Sequence, residues 1–450
     1  APRGLGRAAA GKGAPSPPSD THPSTALSTS APLGFDAAGP DRRSASGYIA
    51  RVSDRGCRST RRLRSVSALL AALCAQGCGE APGPATPWRV VREDPTDVPM
   101  RGLSPEEQSG FDRGDVLFAR QYLPSQGLGP LFVRSSCESC HASDSRGPGF
   151  VERAIAVTND GYTPATDQSL MPFGPVLRPY FVAPATRGLD APPEGTPGLL
   201  RSLRLGPAVF GRGWIEAVDD AELLRVADEE QRAGRVHGRV PRLADGRIGR
   251  FGLKSRVATL EEFAADAYRG DMGLTSPLQP TEAPNADGLT DDQLPGVDLD
   301  ITAVRDVGAY LRALAMPRRE GLDARGRELF ERARCSDCHA PSLRTRADSR
   351  PSPLASADAA LYSDLLLHDM GASLADGSVE GAAGPRDWRT APLMGLRFFR
   401  SYLHDGRART LEEAIRMHRG DGSDANGSID AFDALPASER AALLDHVGRL

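Results

Sequence analysis

Cys137-Glu138-Ser139-Cys140-His141 and Cys335-Ser336-Asp337-Cys338-His339 are two copies of one pattern, C-x-x-C-H. The spacing has a mechanical reading. Two thiols within one helical turn reach the two vinyl groups of one porphyrin, and the adjacent histidine then sits beneath the iron and offers an imidazole nitrogen. A zinc site is the plain rival for either copy alone. A thioredoxin-type redox pair is disfavoured, because no βαβ pattern surrounds either copy. Two copies together favour two covalently bound c-type haems. Cys137 and Cys140 would hold the first and Cys335 and Cys338 the second, with His141 and His339 as axial ligands.

Working outward, each copy follows a shared element. Arg113-Gly114-Asp115-Val116-Leu117-Phe118 matches Arg325-Gly326-Arg327-Glu328-Leu329-Phe330, and the first copy carries an insertion before its cysteines. Each unit also closes on an amphipathic helix pattern, with Ile301, Val304, Val307, Leu311 and Leu314 on one face and Leu443, Leu444, Val447 and Leu450 on another. Met316-Pro317-Arg318-Arg319 separates them, a helix stop with a proline. The expected fold is all-α, two cytochrome c-like helical domains at 101–320 and 321–450, with long loop insertions in the first. Residues 170–290 are rich in Pro, Gly and Asp, and Pro277 to Pro295 is the most linker-like stretch.

Composition agrees. Aromatic residues are only 6% and hydrophobic residues 40% of the 450, so the chain buries few large apolar side chains or buries something else, and porphyrins fill that gap. A formal charge of −4 gives no electrostatic case for nucleic-acid binding. Only Lys12 and Lys254 are lysines, a skew toward arginine that fits GC-rich codons. Seven cysteines, an odd number, make no disulfide framework. No methionine precedes Met100, and residues 1–57 form a leader that is disordered or lies outside the true reading frame. Arg58, Arg61, Arg62 and Arg64 precede the apolar run Ser65 to Ala75, and small residues follow; 58–78 reads as a secretory signal. Cys78 follows Ala75-Gln76-Gly77, a loose lipoprotein cleavage site, so it is either a lipid anchor or lost with the signal. A linker at 79–100 follows. The expected location is the periplasm or cell envelope, with membrane contact only through that lipid.

Each iron needs a sixth partner or an open position, and that choice separates electron transfer from chemistry on a small oxidant. His22 lies in the leader, His237 in a Gly/Arg-rich loop and His446 on the closing helix. His368, His404 and His418 remain, all in the second unit.

Several strings here resemble the di-haem oxidoreductases, a family of peroxidases and thiol oxidoreductases related to the bacterial di-haem cytochrome c peroxidases. Leu365-Leu366-Leu367-His368-Asp369-Met370-Gly371 is the most specific. Trp388-Arg389-Thr390-Ala391-Pro392-Leu393, Gly249-Arg250-Phe251-Gly252, Gly270-Asp271-Met272-Gly273, and Tyr402-Leu403-His404-Asp405-Gly406-Arg407 with Thr410-Leu411-Glu412-Glu413-Ala414 are also similar. The resemblance covers about 105–450. In those peroxidases a methionine fourteen residues after the histidine of the last string ligates the second haem; here that place holds His418. The resemblance therefore implies His339/His418 ligation, with His404 and Asp405 beside the ligands or between domains, and His368 and Met370 as rival ligands. It also implies an open, peroxide-binding first iron. Glu216 is then a candidate proton shuttle and Trp214 a candidate relay between haems, though each reads equally as an ordinary helix residue. Two tryptophans usual in the family are absent, replaced by Leu253 and Met394. Calcium, known between the domains of the peroxidases, has no dedicated carboxylate loop here and stays open. The expected function is reduction of hydrogen peroxide at the first haem, with electrons relayed through the second from a small donor cytochrome or cupredoxin. The alternatives are an electron carrier without substrate chemistry, or an oxidase of a thiol or protein substrate.

Overall fold

The helices begin where capping side chains stand. Ser104 and Glu107 form a reciprocal capping box ahead of α1 (Pro105–Ala119), and Pro105 occupies its first position. α2 (Cys137–Cys140) is one turn capped by Ser136. α3 (Arg212–Ala217) is followed by α4 (Asp220–Ala233), which Asp219 caps and Gly234 ends in the left-handed conformation. α5 (Leu260–Ala267) has a Thr259/Glu262 box, and Asp300 caps α6 (Ile301–Ala313). In the second half, Asp323 caps α7 (Ala324–Arg332) and a Thr410/Glu413 box opens α8 (Leu411–Arg416); α9 (Asn426–Ala434) and α10 (Ala437–Gly448) close the chain. The computed structural model describes residues 97–141, 150–157, 176–189, 199–285, 287–289, 294 and 296–450. The expected leader at 1–57, the signal at 58–78 with Cys78, and all but the end of the 79–100 linker lie outside the described residues. None of the helices described is long and apolar enough to cross a membrane.

The expectation of an all-α fold is corrected by the structure. The described residues include four two-stranded antiparallel sheets. β1 (Leu131–Phe132) pairs with β3 (Tyr180–Phe181), and the longer β2 (Phe150–Ala156) with β4 (Leu199–Leu205). β5 (Leu343–Arg344) pairs with β6 (Asp358–Ala359), and β7 (Leu367–Asp369) with β8 (Asp387–Arg389). These ladders escaped a search for hydrophobic period for two reasons. Most are two or three residues long. And β4 inverts the usual alternation: Ser202 and Arg204 are buried while Leu203 is exposed, because Arg204 is paired inside with Asp376 and Glu380.

The repeated Arg-Gly element marks a helix crossing in each half. α1 packs on α6, and a Cβ on Gly114 would lie 2.1 Å from the Asp306 carbonyl oxygen. α7 packs on α10, and a Cβ on Gly326 would lie 2.3 Å from Nδ1 of His446. Only glycine permits so close an approach. α3 and α5 also pack on α6. The main core runs from Phe111, Phe118 and Tyr310 through Leu260 and Leu314 to Leu365, Leu366 and Met394, so it draws on both expected domains. A second core of Leu329, Phe330, Phe432, Leu443 and Leu450 lies within the C-terminal portion.

Candidate functional site

The chain leaves α7 through Arg334, whose φ of 58° turns it into a single 3-10 turn carrying Cys335. Cys335 and Cys338, both thiols, open with His339 and His418 on a cavity of about 310 Å³, walled by Phe330, Leu396, Ile429 and Phe432. Burial pushes the Cys335 thiol up to about 12 and the Cys338 thiol to about 11. Such sulfurs are poor thiolate ligands, but burial suits a neutral thioether.

The two histidines are prepared alike. Nδ1 of His339 lies 2.9 Å from the Tyr362 carbonyl oxygen, and Nδ1 of His418 lies 2.7 Å from that of Ala414. Burial holds His339 at about 4 and lowers His418 as well. A neutral imidazole that donates from Nδ1 leaves the Nε2 lone pair for a metal. Met417, the neighbour on α8's last turn, does not line the cavity. Two buried guanidiniums, Arg212 and Arg389, face the same space and donate to backbone carbonyls, Ala208, Gly252 and Thr390; no carboxylate pairs with either among the described residues. Paired thiols, paired neutral imidazoles and uncompensated cations fit a haem, which brings two vinyl groups, an iron and two carboxylates.

His368 occupies a different position from a ligand. It sits opposite Trp388 in the β7–β8 ladder, so two of the recognised strings are neighbours in space. Its Nε2 is 3.0 Å from Asp364 Oδ2 and its Nδ1 3.2 Å from Asp424 Oδ2. Burial opposes charge on this ring, but Asp364 and Asp424 outweigh it and raise its pKa well above the ordinary value. Both of its ring nitrogens thus face carboxylates. Cys338, Asp364 and His368 bring their ligand atoms within 4.8 Å of one another. Glu230, from α4, completes this group at 3.9 Å from His368 Nε2; burial and then Asp364 push its carboxyl up to about 8. Met370 lines the cavity but bonds through its backbone to Arg386.

His404 stacks on Trp388 with ring centroids 3.8 Å apart, and both line the cavity. Burial lowers His404 to about 4. Asp405 binds the backbone and guanidinium of Arg407, shaping the turn at Gly406. The far face of Trp388 meets two cations, Lys254 Nζ at 4.3 Å and Arg204 at 4.9 Å from the ring centroid.

At the first C-x-x-C-H, the His141 amide donates to the Cys137 carbonyl at 2.8 Å, closing the turn. Its ring lies 6.2 Å from that of Phe118, so the shared Arg-Gly-x-x-Leu-Phe element meets the motif here as Phe330 does at the second. Cys137 packs on the main core, and burial raises the Cys140 thiol. Tyr122 and Tyr268 meet edge to face beside it, Tyr268 opening a π-helical turn to Met272. Residues 142–149, directly after His141, lie outside the described residues.

Glu216 and Trp214 do not line the C-terminal cavity. Glu216 binds Arg312 through one oxygen and the Leu260 amide, 2.8 Å away, through the other. Trp214 packs with Met100, Leu103 and Leu354 and does not line the cavity. Sequence reading missed Glu230, Asp364, Asp424 and Lys254. Glu230 alone had a signal: it continues the buried stripe Leu223, Val226, Ala227 of α4, where a carboxylate is out of place.

The sequence matches the family described as "Di-haem oxidoreductase, putative peroxidase" over residues 198–450. No curated protein matches it. Among solved structures it is similar to a hydrazine synthase from Kuenenia stuttgartiensis, pressurised with xenon, at 15% identity and a TM-score of 0.34, over 86% of this chain and 100% of that one. It is also similar to a MauG-like protein associated with microbial copper homeostasis, at 18% identity and a TM-score of 0.37, over 80% and 92%.

Proposed function

The chain belongs to the di-haem oxidoreductase family, and from that premise we propose that it is a peroxidase-like enzyme of the cell envelope that reduces hydrogen peroxide at one haem and draws electrons through the other. In this reading Cys137 and Cys140 bind the first haem covalently and Cys335 and Cys338 the second. His141 is the sole protein ligand of the first iron; His339 and His418 both ligate the second. Bound haem supplies a redox-active iron, able to exchange one electron where both axial positions are filled and to bind a small oxidant where one is open.

One observation carries the reading. The C-terminal cavity has two neutral imidazoles with Nδ1 anchored, whereas the sequence has no histidine between His141 and His237 to serve the first site in the same way. Arg212 and Arg389 supply positive charge to an anionic ligand, and the surrounding apolar walls exclude water. His404 is held neutral and stacked, so it shapes the wall. Glu216 stays the proposed proton shuttle, oriented by Arg312 and the Leu260 amide, and Trp214 the proposed relay. A small cytochrome or cupredoxin is the proposed donor.

Electron paramagnetic resonance of the purified haem-loaded protein tests this. One high-spin and one low-spin ferric signal are expected, with the high-spin signal lost on adding peroxide. Two low-spin signals that ignore peroxide refute the enzyme and leave an electron carrier. A high-spin signal insensitive to peroxide but quenched by a thiol or protein substrate supports oxidation of that substrate.

A further inference from the structure

We infer that Glu230, Asp364 and His368 form a proton-loading site for the second haem, filled from solvent through Asp424 and His237. The inference rests on the reading that a haem occupies the C-terminal cavity.

The geometry is a continuous path with falling exposure. The His237 side chain is 72% exposed, Asp424 12%, His368 2% and Asp364 0%. His237 Nδ1 lies 3.0 Å from Asp424 Oδ1; Asp424 Oδ2 lies 3.2 Å from His368 Nδ1; His368 Nε2 lies 3.0 Å from Asp364 Oδ2. Every link is within hydrogen-bond reach, and the side chains come from three separate segments. At the inner end stands Glu230, 8% exposed. Its Oε2 accepts the Gly238 amide at 3.0 Å, but its buried Oε1 has no partner among the described residues. An unpartnered buried carboxylate oxygen is costly as an anion and cheap as a protonated acid. Among the described residues no cation other than the His368 ring pairs with the group; Arg389, on β8, is the guanidinium that senses Asp364. The upward shift of Glu230 agrees with this placement.

The site also touches the redox centre's attachment. His368 lines the cavity, and its Nδ1 lies 3.8 Å from Sγ of Cys338. An electron placed in that cavity adds one negative charge at short range in a medium of low dielectric, where its attraction for a proton is strong. The balance is one electron from a one-electron donor and one proton from bulk solvent. The electron enters the cavity, the proton rests on Glu230, and both leave when the electron is passed on. Gly238 is part of the device, because a Cβ there would lie 2.3 Å from Glu230 Oε2 and 2.9 Å from His368 Cε1.

Spectroelectrochemical titration of the haem-loaded protein, following the low-spin haem at pH values from about 6 to about 10, tests the inference. The wild-type potential should be flat where Glu230 already holds its proton and fall with pH above about 8, approaching about 59 mV per unit, the one-electron equivalent of a tenfold change in proton activity. Glu230→Gln should flatten that slope while leaving the low-spin spectrum unchanged. Asp424→Asn should keep the equilibrium slope but slow the proton uptake that accompanies reduction, read with a pH dye in stopped flow. A pH-independent wild-type potential, or an unchanged slope in Glu230→Gln, overturns the inference. Should Glu230→Gln not take up haem, a wild type that binds no proton on reduction overturns it equally. A protein with no low-spin haem at all refutes the reading of the cavity, a separate result.

Discussion

Replacing Lys254 by Met tests whether the wall of the C-terminal cavity hangs on one buried cation. The Lys254 side chain is fully buried, and Nζ donates to the carbonyls of Ser378 at 2.9 Å, Gly384 at 2.7 Å and Pro385 at 3.2 Å, with Asp376 Oδ1 at 3.1 Å. Methionine preserves the volume and removes the donors. The Gly384 and Pro385 oxygens each keep a backbone amide, from Asp387 and Asp376, so only the Ser378 oxygen is stranded. A stranded carbonyl costs about 1–3 kcal/mol. Asp376 keeps Arg204 and the Ser202 hydroxyl, so the loss falls short of the roughly 3–5 kcal/mol expected when a buried charge is left alone. Loss of the cation over Trp388 adds about 1–2 kcal/mol, and relief of the ammonium's own desolvation offsets part of the total. The expected net loss is about 3 kcal/mol. Urea unfolding of the haem-loaded protein, followed by far-ultraviolet circular dichroism, measures it. Asp376→Asn made in the Lys254→Met background should then cost less than it does alone, by about 0.5–3 kcal/mol. A loss below about 1 kcal/mol, or strict additivity of the two changes, would refute the reasoning.

His418→Gly should alter the optical and paramagnetic spectrum of the low-spin haem alone, with added imidazole restoring it; an unaltered spectrum removes His418 as a ligand. Gly114→Ala and Gly326→Ala should each lower the free energy of urea unfolding by about 1–3 kcal/mol through overpacking at the helix crossings, while Gly110→Ala, inside α1 with nothing closer to its Cβ than 3.5 Å, should raise it by about 0.5–1 kcal/mol; equal effects at all three positions would disprove the crossing argument. Glu230 has an ordinary value of 4.5 and a folded value of about 8, so the folded state holds the proton more tightly. Its contribution to stability is complete below about 4.5 and is lost as pH rises through about 8. The wild-type urea midpoint should therefore fall relative to Glu230→Gln across that window, and a difference that does not change with pH removes Glu230 as a titrating group.

What could be read from the sequence was what local chemistry encodes. The C-x-x-C-H strings stand out because two thiols and an imidazole must share one turn. The capped helices are legible because Ser104, Thr259 and Thr410 carry their partners three residues on. The repeated Arg-Gly was visible, but its reason was not, because the backbone that Gly114 touches lies almost two hundred residues away at Asp306. The sheets were missed for a related cause. β4 turns Arg204 inward toward Asp376 and Glu380, so the apolar side of its pattern faces solvent. His368 was legible as a special residue but not in its role. Asp364 stands just upstream in the same segment, but Asp424 and Glu230 come from two others, and only their convergence shows that both ring nitrogens are taken.

The scarcity of aromatic residues therefore has a second answer besides porphyrin. The interior also holds paired charge. Glu380 contacts Arg153 at 3.1 Å, Arg204 at 2.8 Å and Arg256 at 3.3 Å. Burial would raise its carboxyl, yet these guanidiniums bring it down to about 2. Asp376 joins Arg204 to Lys254, one of only two lysines in the chain. Replacing such a network by hydrocarbon is often neutral or stabilising, so its worth does not lie in net stability. Its worth here is positional. Arg153 comes from β2, Arg204 from β4, Lys254 and Arg256 from the turn after Phe251, and Glu380 from the segment leading to β8. Each carboxylate can satisfy its partners in one arrangement only, because a misplaced strand would leave a charge buried alone. That arrangement sets Lys254 and Arg204 over one face of Trp388 and His404 against the other, at the wall of the cavity that holds His339 and His418. An apolar core could slide by one rotamer at little cost; a core of paired charges cannot, and the C-terminal cavity inherits that fixity.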